Sequence, residues 1–487
     1  MMKNLVAASF CVSLLACAGS VVLRANPPQL PTRASLAPTP PDTGQLRALL
    51  KNERIAEAAR AAEHACTGEG SNASLLVTCG DVWFRQGQLA KAARMYAAAI
   101  AGDSTSARGY WGLGRIDLLE RRNRSARQHF EKAHALDPGD PNILLDWALA
   151  RPSRPQQVGA AERYLALAAN GNLEERALAG IRTRIAILAA LGPGDTFVVA
   201  DPGRAYRLEL HEARSPEGPL NSYRLFALVN GQKLRLTLDT GTSGIYINRK
   251  AAERSRLVRI ADGVPVGGVG DERPHPTSVA LADVVQIGDL EMRRCEITVD
   301  SGQAVDDGDG LIGTDVFSRF LVRLNFPAHV MELTPLPTGE RSIAEDFWGV
   351  ERRVTPGFTP VHVFGHLLLA DACIDNVPDV LMVIDSGAPS PVLSTAVASR
   401  IPGLHMTSAV VRGISGRVRQ MLTTGPVSLA FANLLATSGR FPAVNLDEQN
   451  RRQGMEIAGV IGLDLLRQFD LTIDYTNGLV RLDHQTR

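Results

Sequence analysis

Leu234-Arg235-Leu236-Thr237-Leu238-Asp239-Thr240-Gly241 reads as an alternating strand ending in an Asp-Thr-Gly turn, and Val380-Leu381-Met382-Val383-Ile384-Asp385-Ser386-Gly387 repeats that plan 146 residues later (385 − 239). Alternation with period two places Leu234, Leu236 and Leu238 on one buried face. Extended structure resumes at Ile245-Tyr246-Ile247 after the first turn and at Val392-Leu393 after the second. The triplet alone decides little, since Asp42-Thr43-Gly44 and Asp300-Ser301-Gly302 also contain it. Asp42 has no strand before it, and Asp300 runs into the acidic stretch Asp306-Asp307, so both read as surface turns.

Further landmarks keep the spacing. Gly267 and Gly270 shift by 146 onto Gly413 and Gly416, and Gly310-Leu311-Ile312-Gly313-Thr314-Asp315 matches Gly459-Val460-Ile461-Gly462-Leu463-Asp464 at 149 (462 − 313). Phe320–Asn325 then parallels Phe469–Asp474. Short alternating runs separated by Gly, Pro and Asn mark the chain beyond residue 205 as all-β. One β lobe is therefore written twice.

The doubled motif resembles the retropepsin-like and pepsin-like aspartic proteases, over residues 206–336 and 355–487 with a linker at 337–354. The resemblance implies a bilobal fold with pseudo-twofold symmetry and an aspartic endopeptidase activity. It implies that Asp239 and Asp385 are the catalytic pair, with Thr240, Gly241, Ser386 and Gly387 supporting them. It also implies that Leu311-Ile312-Gly313 and Val460-Ile461-Gly462 brace the two loops, and that a hairpin at Gly267–Gly270 or Gly413–Gly416 covers the substrate. Two carboxylates held close share one proton, as is well established for the aspartic-protease dyad. One can then take a proton from water while the other gives one to the scissile carbonyl. The hydroxyls of Thr240 and Ser386 suit bonds between the loops. Pro389 stands where Ser243 aligns and removes a backbone donor from the second site. No cofactor or metal is expected.

Before the β region, residues 45–192 are helical in pattern and rich in Ala, Leu and Arg. Ala92, Ala126 and Ala160 recur every 34 residues, with Tyr96, Phe130 and Tyr164 four further on and the pair Gly80 and Gly114 at the same spacing. Small residues let helices approach, and an aromatic fills the gap beside them. This register resembles tetratricopeptide repeats, which implies an all-α solenoid presenting a surface to a protein partner. A helix from about Leu173 to Leu191 caps the array. The run Arg121, Arg122, Arg124 and Arg127 reads as a solvated helix face. Cys66 and Cys79 fall on neighbouring helices and can pair in an oxidising compartment, whereas Cys295 and Cys373 read as buried strand residues.

The N-terminus is a targeting segment. Residues 1–24 place one cation, Lys3, before an apolar stretch from Leu5 to Ala16. Leu14-Leu15-Ala16-Cys17 resembles a lipobox with Cys17 as the lipidation site; Ala16-Cys17-Ala18 also fits ordinary signal cleavage, and Leu5–Leu23 is long enough for an uncleaved anchor. Each reading sends the rest of the chain outside the cytoplasm, to a periplasmic or membrane-anchored location if the source is bacterial. A proline-rich tether occupies residues 25–44.

Composition bounds the alternatives. The 487 residues carry 52 basic and 51 acidic side chains, a net charge of +1, so no global field gathers nucleic acid, and membrane contact is confined to the N-terminus. Hydrophobic residues at 45% exclude a disordered chain. His362 and His366 lie in strand-like sequence, where a spacing of four has no helical register for a metal, and no Gly-x-Ser-x-Gly elbow is present. The expected partners are a peptide or protein substrate and a protein on the repeats. The rival is a non-enzymatic envelope adaptor using the same groove to bind peptide, against which both aspartates argue.

Overall fold

Helix signals and strand signals segregate along the chain, and the computed structural model divides at the same place. It describes residues 42–484 apart from 67–71, 152–153, 169–174, 215–219, 264–274, 301–307, 337–354, 376, 408–411, 414–415 and 419–420. The targeting segment with Cys17, the tether up to residue 41, the hairpin glycines Gly267 and Gly270, and the linker 337–354 lie outside the described residues. Among those residues, no helix is long and apolar enough to cross a membrane.

The described helical region runs α1 Thr43–Lys51, α2 Ile55–Ala65, α3 Ala73–Arg85, α4 Leu89–Gly102, α5 Ala107–Leu119, α6 Asn123–Leu136, α7 Pro141–Leu149, α8 Arg154–Ala168 and α9 Glu175–Leu191. Its first helix corrects one expectation. Asp42 is no surface turn but the cap of α1: its carboxylate accepts from Gln45 N at 2.8 Å, and the Gln45 side chain accepts from Asp42 N in return. The reciprocal cap satisfies two end groups of the helix, so helix begins before the expected end of the tether. Pro141 opens α7 behind the Asp140 cap, a position where its missing N–H costs nothing.

The residues at the 34-residue spacing pack as their sizes require. The Tyr96 ring lies against Gly80 and Gly112, where a β-carbon would stand 2.5 Å from it, and Phe130 lies against Gly114 in the same way at 2.7 Å. Ala92, Ala99, Ala126 and Ala133 are fully buried beside them. Three inter-helix turns keep the spacing in their backbone: Glu53, Gly87 and Arg121 have φ of +57°, +77° and +59°. A disulfide joins Cys66 to Cys79.

The β region holds three main sheets. The first lobe's sheet runs Val198–Val199, Leu290–Asp300, Ile245–Asn248, Gly310–Ile312, Gln232–Leu238, Leu220–Val229, Thr277–Ile287, Val258–Asp262. Gly310–Ile312 is parallel to Gln232–Leu238, with Ile312 opposite Leu238. In the second lobe Gly459–Ile461 is parallel to Val377–Ile384, with Ile461 opposite Ile384. A six-stranded sheet draws on both lobes: Thr359–Pro360, Leu479–His484, Phe469–Asp474, Phe320–Asn325, Val330–Pro335, Tyr206–Glu209. Its central seam pairs Val322 with Ile473 and Asn325 with Asp470. Arg323 reinforces the seam through an ion pair to Asp470.

Helices and sheets share a core. Val82, Trp83 and Phe84 of α3 pack with Leu367, Leu381 and Val383 of the second lobe and with Met455 and Ile457. Glu456 N donates to Arg85 O at 2.7 Å. At the other end α9 packs on the strand Val258–Asp262.

Three further expectations change. Asp300 ends a strand and is buried, because Asn248 pairs with it in parallel and Thr277 on its other side. The arginine run is a solvated face only in part: Arg124 is exposed, Arg122 is half-exposed and pairs with Asp117 and Glu120, but Arg121 turns inward. Cys295 is buried but Cys373 is exposed, since Leu367–Leu369 are buried on both faces whereas Ala370–Ile374 alternate, with Asp371 and Cys373 on the outward side. The strand Val198–Val199, which lies between the expected repeats and the expected first lobe, extends the first sheet by pairing with Met292 and Arg293.

Candidate active site

Each aspartate leaves its strand at the same point. Asp239 N donates to Ile312 O at 3.0 Å, and Asp385 N donates to Ile461 O at 3.1 Å. The parallel strands Gly310–Ile312 and Gly459–Ile461 thus hold the two loops from beneath. This fixes the chain direction at the turn, so both carboxylates project to one place.

The loops interlock there. Thr240 Oγ1 donates to Ile384 O at 2.7 Å and accepts from Ser386 N at 2.9 Å. Reciprocally, Ser386 Oγ donates to Leu238 O at 3.3 Å and accepts from Thr240 N at 3.1 Å. Both hydroxyls are buried, where such bonds are hard to replace by water.

The glycines close the approach. A β-carbon on Gly241 would lie 2.8 Å from Asp385 Cγ, and one on Gly387 would lie 2.6 Å from Asp239 Oδ1. Only glycine lets each loop press its backbone against the other loop's carboxylate. Asp239 and Asp385 therefore meet within one chain.

Their surroundings differ. Asp239 accepts from Gly241 N at 2.7 Å and from Thr242 Oγ1 at 2.7 Å, one donor on each oxygen. Asp385 accepts from Gly387 N at 2.8 Å and Ala388 N at 3.2 Å, both on Oδ1. Burial, then the adjacent Asp239, raise Asp385 well above the ordinary carboxylate range. A second asymmetry lies behind the loops: Asp315 accepts from Ser243 Oγ at 3.0 Å and Gly244 N at 2.9 Å. At the matching place Pro389 has neither side-chain nor backbone donor, and Asp464 is exposed and paired with Arg467.

Residues 226–319 match the family model described as gag-polyprotein putative aspartyl protease. The match supports a retropepsin-like aspartic protease domain there. It contains Asp239, Thr240 and Gly241 with the brace Leu311-Ile312-Gly313. No curated protein matches the chain.

Of the two hairpins, Arg412–Gly413 and Gly416–Arg417 form a short antiparallel pair with Gly413 opposite Gly416. His362 and His366 diverge: His362 Nε2 meets Asp371 Oδ2 at 3.0 Å, whereas His366 Nε2 donates to Gly241 O at 3.0 Å. His366 thus supports the first loop, a role invisible in sequence because its hairpin comes from the other lobe. Thr242 was legible in principle, as the second hydroxyl of Asp-Thr-Gly-Thr. Tyr475 was not: its hydroxyl shares a 2.5 Å hydrogen bond with Thr314, 161 residues away.

Proposed function

We propose that this protein is an exported aspartic endopeptidase whose two tandem lobes form one pseudo-twofold dyad from Asp239 and Asp385. The reciprocal packing of Gly241 on Asp385 and of Gly387 on Asp239 carries the reading, because it holds two carboxylates together in a partly buried site where they cannot both ionise. The shared proton resides on Asp385, where burial favours the neutral form. Asp239, with a donor on each oxygen, takes the proton of a water placed between them. Hydroxide adds to the scissile carbonyl carbon while Asp385 gives its proton to the carbonyl oxygen. Collapse of the tetrahedral centre breaks the C–N bond: the proton gained by Asp239 leaves with the amine, and one hydroxyl proton of the centre returns to Asp385 as the carboxylic acid forms. The amides and hydroxyls around the pair are already oriented, so little reorganisation accompanies the charge movement.

The helical region, read as tetratricopeptide-like repeats, recruits or orients a protein substrate. The Cys66–Cys79 disulfide supports a site outside the reducing cytoplasm, in keeping with signal cleavage or lipidation at Cys17.

Asp239→Asn and Asp385→Asn in the full-length chain, assayed on a peptide library by mass spectrometry, test the dyad. Each is expected to lower cleavage about a thousandfold or more. Wild-type activity in either variant overturns the dyad.

A further inference from the structure

The turn between α5 and α6 does not end at the helical region's surface. Arg121 occupies it with a left-handed backbone, φ +59°, a conformation disfavoured for a residue with a β-carbon. The turn aims its side chain into the second lobe, where Nε is sealed from solvent. There Arg121 meets the turn between the last two strands. Gly478, φ +61°, packs on it so closely that a β-carbon would lie 3.1 Å from Arg121 Cγ. Burial lowers the guanidinium to about 10, and the Asp474 carboxylate beside Tyr475 acts against that shift.

That turn leads to the first aspartate loop. The Tyr475 hydroxyl shares its hydrogen bond with Thr314 at 2.5 Å. Gly313 N, just before Thr314, donates to Gly244 O at 2.7 Å, and Asp315, just after it, accepts from Gly244 N and Ser243 Oγ. A short chain of contacts thus connects a residue of the helical region to residues 239–244. The equivalent turns make different contacts, and neither carries an arginine to the turn before the last strand. At the same turn one period earlier, Gly87 meets the Glu456 carbonyl, and one before that, Glu53 pairs with Arg85 inside the helical region.

We infer that Arg121 is a positioning residue for the Asp239 loop, acting through Tyr475 and Thr314, so that the helical region sets the turnover of the protease as well as its encounter with substrate. This rests on the peptidase reading for its kinetic consequence but not for its structural one. Truncating Arg121 takes a cation from the neighbourhood of the buried Asp474 and empties the space against which Gly478, three residues past Tyr475, packs. The Thr314 hydroxyl then loses its fixed partner, and the loop behind Asp239 loosens.

The test uses the full-length chain with Arg121→Ala, Tyr475→Phe and Arg122→Ala. Arg122 lies in the same turn but pairs only with Asp117 and Glu120 in the ion pairs it makes. Arg121→Ala and Tyr475→Phe are each expected to lower kcat about tenfold with KM within about twofold, while Arg122→Ala keeps the wild-type kcat. Amide hydrogen exchange across residues 239–244 is expected to quicken in the first two variants alone. Equal kcat loss in Arg121→Ala and Arg122→Ala, or wild-type exchange at 239–244 in both Arg121→Ala and Tyr475→Phe, overturns the inference. The exchange measurement needs no turnover, so it decides the coupling even if Asp385→Asn leaves cleavage intact and the dyad reading fails. Should Arg121→Ala not fold, Tyr475→Phe decides by the same two readouts.

Discussion

The α-carbon of Gly387 lies against the carboxylate of Asp239, leaving room for hydrogen and nothing larger: a β-carbon would stand 2.6 Å from Oδ1. The mirrored contact of Gly241 with Asp385 is looser, at 3.0 Å to Oδ1. Gly387→Ala therefore pushes the two carboxylates apart by a sizeable part of an ångström. Peptide cleavage is expected to fall about a hundredfold, since small displacements at reacting groups are that costly. Steady-state kinetics on one fixed peptide check this, and wild-type kcat in Gly387→Ala would show that the close approach is dispensable.

The crossed hydroxyls are unequal. Thr240 Oγ1 makes the shorter pair of bonds, 2.7 and 2.9 Å, against 3.1 and 3.3 Å at Ser386. Removing either hydroxyl takes that partner from two backbone groups, an amide and a carbonyl, at about 1–3 kcal/mol for each group left unsatisfied. Thr240→Val is expected to cost more than Ser386→Ala in urea unfolding; the reverse order would mean that bond length does not rank the two sides.

The contribution of Asp385 to stability falls as the solution leaves the acid range. Asp385 is raised in the folded protein, so both states hold its proton below the unfolded carboxylate value. As pH climbs past that value the unfolded chain releases the proton while the folded chain keeps it, and folding loses free energy until the folded group also ionises. Asp385→Asn removes this contribution. Its thermal midpoint, relative to wild type, is expected to rise from pH 3 to pH 7; a constant difference across that range would refute the assignment.

The disulfide closes a 13-residue separation between α2 and α3. Chain-entropy arguments give about 3 kcal/mol for a loop of that size. Dithiothreitol, or Cys66→Ser with Cys79→Ser, is expected to lower the unfolding temperature by several degrees. An unchanged melting curve would mean that the helices hold the loop closed without it.

Much of the candidate site was legible because its signals are local. A strand ending in Asp-Thr-Gly or Asp-Ser-Gly, the following apolar pair with Gly, and their recurrence at offsets of 146 and 149 need no knowledge of packing. What stayed hidden depends on partners far along the chain. Asp300 carries the same triplet start as Asp239, yet it is buried by parallel pairing with Asn248, which no local pattern announces. Arg121 sits in a run of arginines that composition assigns to solvent, and only docking of the helices on the second lobe turns it inward. Cys373 was missed for a simpler reason: its strand is buried on both faces at Leu367–Leu369 and on one face beyond, where neighbouring residues point to opposite sides.

The strand Phe320–Asn325 belongs to one lobe by sequence but is hydrogen-bonded on both flanks, to Val330–Pro335 and to Phe469–Asp474 of the other. A half-length chain ending before residue 355 would carry that second flank bare. An open row of amides and carbonyls recruits whatever strand fits it, and the strand of closest fit would be the same one from an identical chain. Two such halves joined along this edge would set one Asp239 loop beside another, as the single chain sets its Asp239 loop beside the Asp385 loop.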